Sequence, residues 1–594
     1  MGSNARLTVV KPHAKTCLVV QLSCLGDVLQ TLMSIKACKQ LYPNVDYSLI
    51  VKSEYYDLIK ETKWIKNIIP LSVSEFKESY KNSNEKKSVI SKLAKWTLPN
   101  VQERWDFVVN WTFNDSSSYL ASIFPAQVRL GYFRNEDQLL LMEDGWSYYI
   151  NSVVQSNIEQ NIHMTDIFTT QLLTAFQIHI GSPKKADNVA VSSKCFFSDS
   201  YDFEFQSQYR NNEWITIALD TKDNDNQYDE NYWITFISKV LSRHNELNIF
   251  IVGSDKSSDM ANKLKVEIEK SGVKSDLVRF FVGNHHYKNW ISSLSLSQWL
   301  ISNDSFFVHL ASVLSTRVVC FSDKTGLHQI SAYGTGNFLI KKQTKHNKTE
   351  FSSVVYATWS YGYSEWSHKH KKSLKDHFSQ LGYLKFTEGL KIYRSHIRDA
   401  SLGGGLDYEQ MIEKSFSLED LMKMIIGQVA RKWFCGWAPP VGGGISSDLF
   451  TNKLIASLRE LKESLFVLKK ISIKSENICI EFKKRSSSIK KPYLMKTEDK
   501  NKILKLNDDL NQIEKLFYRT VQLHPELLFL LNSLKAFLHG PATEDLNEAV
   551  DKSLRAYQMT TEAIDVVEKW VNYSLDINKP KKVDLSNVVY LNLR

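Results

Sequence analysis

The opening of the chain constrains its fold most. A short apolar run, Cys17-Leu18-Val19-Val20-Gln21-Leu22, meets Ser23-Cys24-Leu25-Gly26-Asp27 and passes at once into apolar residues at helical spacing: Val28, Leu32, Ile35, Cys38 and Leu41. This predicts a strand, a tight loop and a helix. Pro43-Asn44 closes the helix, because the residue before a proline is pushed out of the helical region, and Tyr47-Ser48-Leu49-Ile50-Val51 predicts the next strand. A βαβ unit of this kind has a right-handed crossover and a parallel sheet, and it excludes an all-β or all-helical start.

The pattern recurs. Trp105-Asp106-Phe107-Val108-Val109-Asn110 predicts a buried strand, and Gln127-Val128-Arg129-Leu130-Gly131-Tyr132 another, with Gly131 permitting a turn. A second series follows at Trp214–Leu219, Asn248–Gly253, Gln298–Ser302 and Arg317–Phe321. With 594 residues the chain outgrows a single core, and two to four domains are expected. The expected fold class is α/β: a doubly wound domain over residues 1–200, a second over 201–372, and a mostly helical region over 373–594. Two such domains in sequence imply a cleft between them.

In the last region Leu454, Leu458, Leu461, Leu465 and Leu468 recur every three or four residues, and Leu504, Leu510, Ile513 and Leu516 continue the spacing beyond the Lys/Ser-rich segment Lys483 to Lys491. An antiparallel helical pair or small bundle is expected, serving packing or oligomerisation. Trp437-Ala438-Pro439-Pro440-Val441-Gly442-Gly443-Gly444 predicts a loop or linker.

Composition narrows the function classes. Cys17, Cys24, Cys38, Cys195, Cys320, Cys435 and Cys479 form no CxxC pair, so neither a structural zinc site nor a disulfide framework is expected. No apolar run approaches the ~20 residues of a membrane span, and Met1 to Lys15 lacks the apolar stretch of a signal peptide, so the chain reads as cytoplasmic. A formal charge of +10 favours anionic partners, among them a nucleotide-sugar, a phosphorylated glycolipid or a membrane surface. Peripheral association with an inner membrane therefore stays open. Lys483-Lys484-Arg485 is not accompanied by any nucleic-acid motif, and nucleic acid is set aside as a partner.

Two constellations can carry chemistry. Gly26-Asp27 lies at the mouth of the first strand, where open α/β sheets bind ligands: Gly26 lets backbone approach closely, and the Asp27 carboxylate is placed either to act as a general base or simply to cap the helix. The second is Ser302-Asn303-Asp304-Ser305-Phe306-Phe307-Val308-His309-Leu310-Ala311-Ser312, again a strand end running into a helix. A helix start with the Ser305 hydroxyl can hold a diphosphate, Asp304 can reach the pocket or cap, and His309 can point in or sit in the core.

These residues resemble the ADP-heptose:lipopolysaccharide heptosyltransferases of glycosyltransferase family nine. Val19 through Leu32 looks like that family's N-terminal signature, and Asp304-Ser305 through His309-Leu310-Ala311 like its second-domain motif; the likeness spans about residues 15–345. It implies a GT-B fold and an inverting glycosyl transfer with no metal and no cofactor beyond an ADP-sugar, heptose foremost, as donor substrate. The resemblance makes Asp27 the base and places Gly26, Asp304, Ser305 and His309 at the donor. It adds Lys222, after the strand Trp214–Leu219, and Lys324 and Thr325, in Ser322-Asp323-Lys324-Thr325-Gly326, as phosphate partners; Lys324 has the alternative of a solvated loop lysine. Asn110 through Leu120 looks closer to the protein-glycosylating autotransporter heptosyltransferases, without their clustered cysteines, so the implied acceptor is a glycolipid or a protein. Homo-oligomerisation through the C-terminal helices is compatible with all of this.

Two departures from the family pattern favour a rival. Phe306 stands where the family carries a glycine against the diphosphate, and Asp223 to Asp229 is acidic where it carries a cation. A GT-B shell kept as a scaffold with weak or no catalysis is therefore the alternative; the joint presence of Asp27, Asp304 and His309 argues against it.

Overall fold

The computed structural model describes residues 15–577 apart from 75–94, 152–161, 182–202, 222–227, 323–325, 343–346, 367–372, 398–405, 412–417, 430–451, 488–496, 539–545 and shorter stretches between them. The first sheet contains β1 (Lys15–Val20), β2 (Val45–Lys52), β3 (Asn67–Leu71), β4 (Trp105–Asn110) and β5 (Ala126–Gly131), all parallel in the order β3-β2-β1-β4-β5. A small hairpin of β6 (Phe133–Arg134) and β7 (Leu140–Leu141) follows.

The second sheet holds β8 (Glu213–Ala218), β9 (Leu247–Gly253), β10 (Val278–Val282), β11 (Ser297–Asn303), β12 (Arg317–Ser322), β13 (Phe338–Lys342), β14 (Leu390–Ile397) and β15 (Leu406–Gln410). Its order is β10-β9-β8-β11-β12-β13-β14-β15. The first six strands in that order are parallel, and β14 and β15 add an antiparallel edge. In both sheets the order reverses beside the first strand, which opens a crevice at the carboxyl ends of β1 and β4 and of β8 and β11. The architecture is thus α/β of the GT-B type, with a helical C-terminal region.

The strands are apolar on consecutive positions because both faces are covered. Leu18, Val20 and Val108 turn to one core with Leu120 and Phe124, while Cys17, Val19, Phe107 and Val109 turn to another. Helices α1 (Leu25–Leu41), α2 (Met164–His179), α3 (Glu230–Arg243), α4 (Phe306–Leu314) and α5 (Lys348–Trp366) cover the sheets. The core beneath α1 and α2 continues without a break through Phe307, Val308, Leu310 and Ala311 of α4, so the two domains share it. The outer face of the second sheet packs separately, with Trp233 and Phe236 of α3 and Val354, Val355 and Trp359 of α5.

The second sheet continues past residue 372, and Leu390–Ile397 and Leu406–Gln410 are strands within a region expected to be mostly helical. β14 is an antiparallel strand whose apolar residues, Leu390, Ile392, Tyr393 and Ile397, are interrupted by Lys391, Arg394, Ser395 and His396, so it lacks the unbroken apolar run of the parallel strands. Four long helices are described after it: α6 (Asn452–Ser487), α7 (Thr497–Gln522), α8 (Leu528–Leu538) and α9 (Leu546–Ile577). Helix α6 lies along α7 and α9, α8 packs on α9, and α8 also touches the short helix Gly145–Tyr149 of the first domain. The linker expected at Trp437–Gly444 lies outside the described residues.

Leu454, Leu458, Leu461, Leu465 and Leu468 are all buried, as their spacing predicts. In α7 the packed stripe is Leu510, Ile513, Phe517 and Val521, whereas Leu504 and Leu516 are 52% and 49% exposed. At 100° per residue Leu504 lies opposite Ile513, and Leu516 lies about 100° from Phe517, so neither stays on the stripe. Replacing Leu461 with Ala should destabilise the protein by about 2–5 kcal/mol, while Leu504→Ala should stay within about 0.5 kcal/mol. Urea unfolding followed by circular dichroism checks both.

Candidate active site

Asp27 is the third residue of α1, and its Oδ2 accepts from the backbone N–H of the N-cap Cys24 at 3.3 Å and from its thiol at 3.0 Å. The carboxylate therefore caps the helix. Its other oxygen, Oδ1, makes no hydrogen bond among the described residues, so capping leaves half of the group for another task.

Gly26 is buried against the opposite domain. A Cβ there would lie 2.8 Å from His309 Cδ2 and 3.5 Å from His309 Nε2, so only a glycine lets α1 come this close to α4. One turn further, Gln30 Nε2 lies 3.2 Å from His309 Nε2 and donates to the Gln329 carbonyl at 3.4 Å. His309 itself is 5% exposed. The two constellations singled out in the sequence thus meet, with His309 as the contact and not an open ligand group.

Around α4 the expected donor residues divide. Ser305 is the N-cap in extended backbone, yet its hydroxyl pairs with Ser302 Oγ at 2.8 Å and makes no capping bond. Asp304 is half-buried beside it. The Phe306 ring stacks on Phe307, with centroids 4.2 Å apart, and packs on Trp290 at 5.8 Å. The Val308 N–H bonds the Ser305 carbonyl at 3.1 Å, which leaves the Phe306 and Phe307 N–H groups at the start of α4 without an intrahelical partner.

Lys222, Lys324 and Thr325 lie outside the described residues, as does the acidic loop up to Gln227. Asp229 is described: its Oδ1 caps α3 through the Tyr232 N–H at 3.0 Å, and its Oδ2 pairs with Lys348 at 2.8 Å. Its charge is thereby spent within the second domain. Asp220, at the end of β8, accepts from the Ser254 N–H at 2.8 Å and from the Ser257 hydroxyl at 2.5 Å, tying β8 to β9.

A second set of seam residues carries no sequence signal. His163 Nδ1 accepts from the Thr165 N–H at 3.1 Å, which leaves Nε2–H to donate to the Ser331 carbonyl of the second domain at 3.0 Å. Asp166 Oδ1 accepts from the Tyr333 hydroxyl at 2.7 Å and its Oδ2 from the Leu406 N–H at 2.8 Å. Burial lowers the His163 pKa, against the opposing pull of Asp166, and the ring is neutral with both nitrogens committed. These partners are far apart in sequence, so no spacing rule reveals them.

At the carboxyl end of β5, Gly131 has φ 99°, and a Cβ there would come within 2.1 Å of the Asn110 carbonyl, which confirms its turn role. Beneath it Asp144 accepts from the Gly131 and Ser147 N–H groups and from Gln171 Nε2, and burial holds its carboxyl above the usual range. In the segment following β4, Asn114 caps the helix Asp115–Ser122, while Arg134 pairs with Asp115 and reaches Ser118. Among the described residues, no group of three or more His, Cys, Asp or Glu could hold a metal ion, and no helix is long and apolar enough to cross a membrane.

No protein-family model matches the chain, and no curated protein matches it. Solved structures do. The E. coli heptosyltransferase WaaC with ADP is 13% identical, over 58% of this chain and 99% of its own, with a TM-score of 0.42. The glycosyl transferase family 9 structure from Veillonella parvula DSM 2008 is 13% identical, over 64% and 99%, with a TM-score of 0.44. The E. coli ADP-heptose lps heptosyltransferase II is 11% identical, over 53% and 88%, with a TM-score of 0.35. At such identities the chemistry has to come from this chain's own residues.

Two outcomes follow from the seam. Gly26→Ala should cost about 1–3 kcal/mol through the clash with His309, and most of that cost should vanish in a His309→Ala background; a double-mutant cycle read by thermal melting measures the coupling. Because His163 stays neutral in the fold, the unfolded chain takes up a proton below about pH 6.5 that the folded chain refuses. Stability should then fall by up to about 1.4 kcal/mol per unit as pH drops below that value, until the lowered folded pKa is reached. His163→Gln should remove this slope in melts taken between pH 8 and pH 5.

Proposed function

We propose that the chain is an inverting glycosyltransferase that moves a sugar, heptose foremost, from an ADP-activated donor to a hydroxyl of a glycolipid or protein acceptor. The observation that carries the reading is the junction of Gly26-Asp27 with His309: a carboxylate at the carboxyl end of β1 stands across the seam from a helix that starts at the carboxyl end of β11. A base and an anion-holding helix start on opposite sides of one crevice are what displacement at a sugar carbon requires.

In this reading Asp27 Oδ1 takes the proton from the acceptor hydroxyl as its oxygen attacks the anomeric carbon. The bond from that carbon to the diphosphate oxygen breaks, and ADP leaves carrying the electron pair. The N–H groups at the start of α4 oppose the charge growing on the diphosphate, an electrostatic task that fixed dipoles perform without a metal. Cys24 holds Asp27 Oδ2, which fixes the orientation of the base. Gln30 and His309 keep α1 and α4 in register and act as positioning residues.

One observation favours the rival scaffold reading. The Phe306 ring lies against Trp290 and Phe307 at the α4 start, and Asp27 would be retained for its cap alone in a chain without catalysis. Release of ADP from ADP-heptose, alongside a panel of other nucleotide-sugars and with lipid and protein acceptors in separate arms, discriminates the two. Asp27→Asn should lower turnover by about 10²–10⁴-fold, the range of a general base, while the melting temperature moves little because an amide oxygen can still cap. Turnover unaffected by Asp27→Asn would remove Asp27 as the base, whereas no turnover and no stabilisation by ADP would leave the scaffold reading standing.

A further inference from the structure

Asn511, Glu514, Lys515, Tyr518 and Arg519 recur at the spacing of one helix stripe. With Leu531, Leu534 and Lys535 of α8 they line a groove of about 550 Å³. The floor is apolar, since Leu531 and Leu534 are buried. The rim is basic. Lys515, Arg519 and Lys535 are exposed, and none has an ion-pair partner among the described residues. Lys535 Nζ stands 5.0 Å over the Tyr518 ring. The lining carboxylate, Glu514, is turned inward, where it accepts from the Tyr557 hydroxyl at 2.9 Å.

Beside the groove, large apolar side chains face water. Leu523 is 74% exposed and Leu528 40%, and Tyr518 within the groove is 41% exposed. Exposed leucines, a tyrosine with one polar end and cations without counter-ions are the features by which a surface element enters a bilayer interface: the apolar side chains pass the headgroups, and the cations stay among the phosphates.

We propose that this groove, with the exposed Leu523 and Leu528 beside it, docks on an anionic lipid surface. Charge complementarity selects that occupant. A second copy of the chain would bring three like charges against three, and an acidic peptide seated in the groove would leave Leu523 in water. The docking does not depend on the transferase reading, because none of these residues belongs to the seam.

Flotation of the full chain with vesicles of phosphatidylcholine alone and of phosphatidylcholine mixed with phosphatidylglycerol tests it. Binding should appear with the anionic lipid and fall as salt rises. Changing Lys515, Arg519 and Lys535 together to Gln should weaken it on the order of a hundred-fold, about five-fold per cation. Leu523→Ser should weaken binding while preserving its salt dependence. Thermal melts of both variants should match that of the parent, since the substituted side chains are exposed. Equal binding to neutral vesicles, no binding to anionic ones, or an unaffected triple variant would overturn the proposal. So would a Leu523-dependent change in oligomeric mass by light scattering, or capture of polyglutamate without vesicle binding.

Discussion

The close approach of α1 to α4 is the contact on which the rest depends. It is possible only because residue 26 lacks a side chain: with any Cβ at that position the His309 ring would have to move, and the helix that carries Asp27 would back away from the second domain. Everything proposed about catalysis assumes that distance. The buried amide of Gln30 reinforces it from the next turn, at the cost of an Oε1 that finds no partner among the described residues. A polar atom left unsatisfied at a seam weakens the packed state relative to an opened one, so the same residue that draws the domains together also limits how firmly they stay together.

The two parallel sheets were legible because buried parallel strands announce themselves as unbroken apolar runs. Trp105–Asn110 and Arg317–Phe321 need no partner to be read as strands. β14 and β15 are less legible because the apolar residues of an antiparallel edge alternate with polar ones. In α7 the count of leucines misled: Leu504 and Leu516 share the composition of the packed stripe but not its phase, whereas Phe517 and Val521 supply the phase.

The candidate site was legible only in part, and the division is physical. Asp27, Gly26 and His309 sit in local patterns whose geometry is set by a strand, a turn and a helix, so their placement follows from their neighbours in sequence. Ser305 sits in such a pattern too, but its hydroxyl is claimed by Ser302, a competition that spacing does not reveal. His163, Asp166 and Tyr333 hold the seam through partners brought together only by the tertiary fold. A neutral histidine with two committed nitrogens looks, in sequence, like any other.

The contact of α8 with the short helix Gly145–Tyr149 closes the chain back on its first domain across about 380 residues. During synthesis, at about 5–20 residues per second, that patch of the first domain emerges roughly 20–80 s before its cover exists. Trp146 and Tyr149 of that short helix are buried in the finished protein. That face of the first domain is thus left open until the helices that cover it are made.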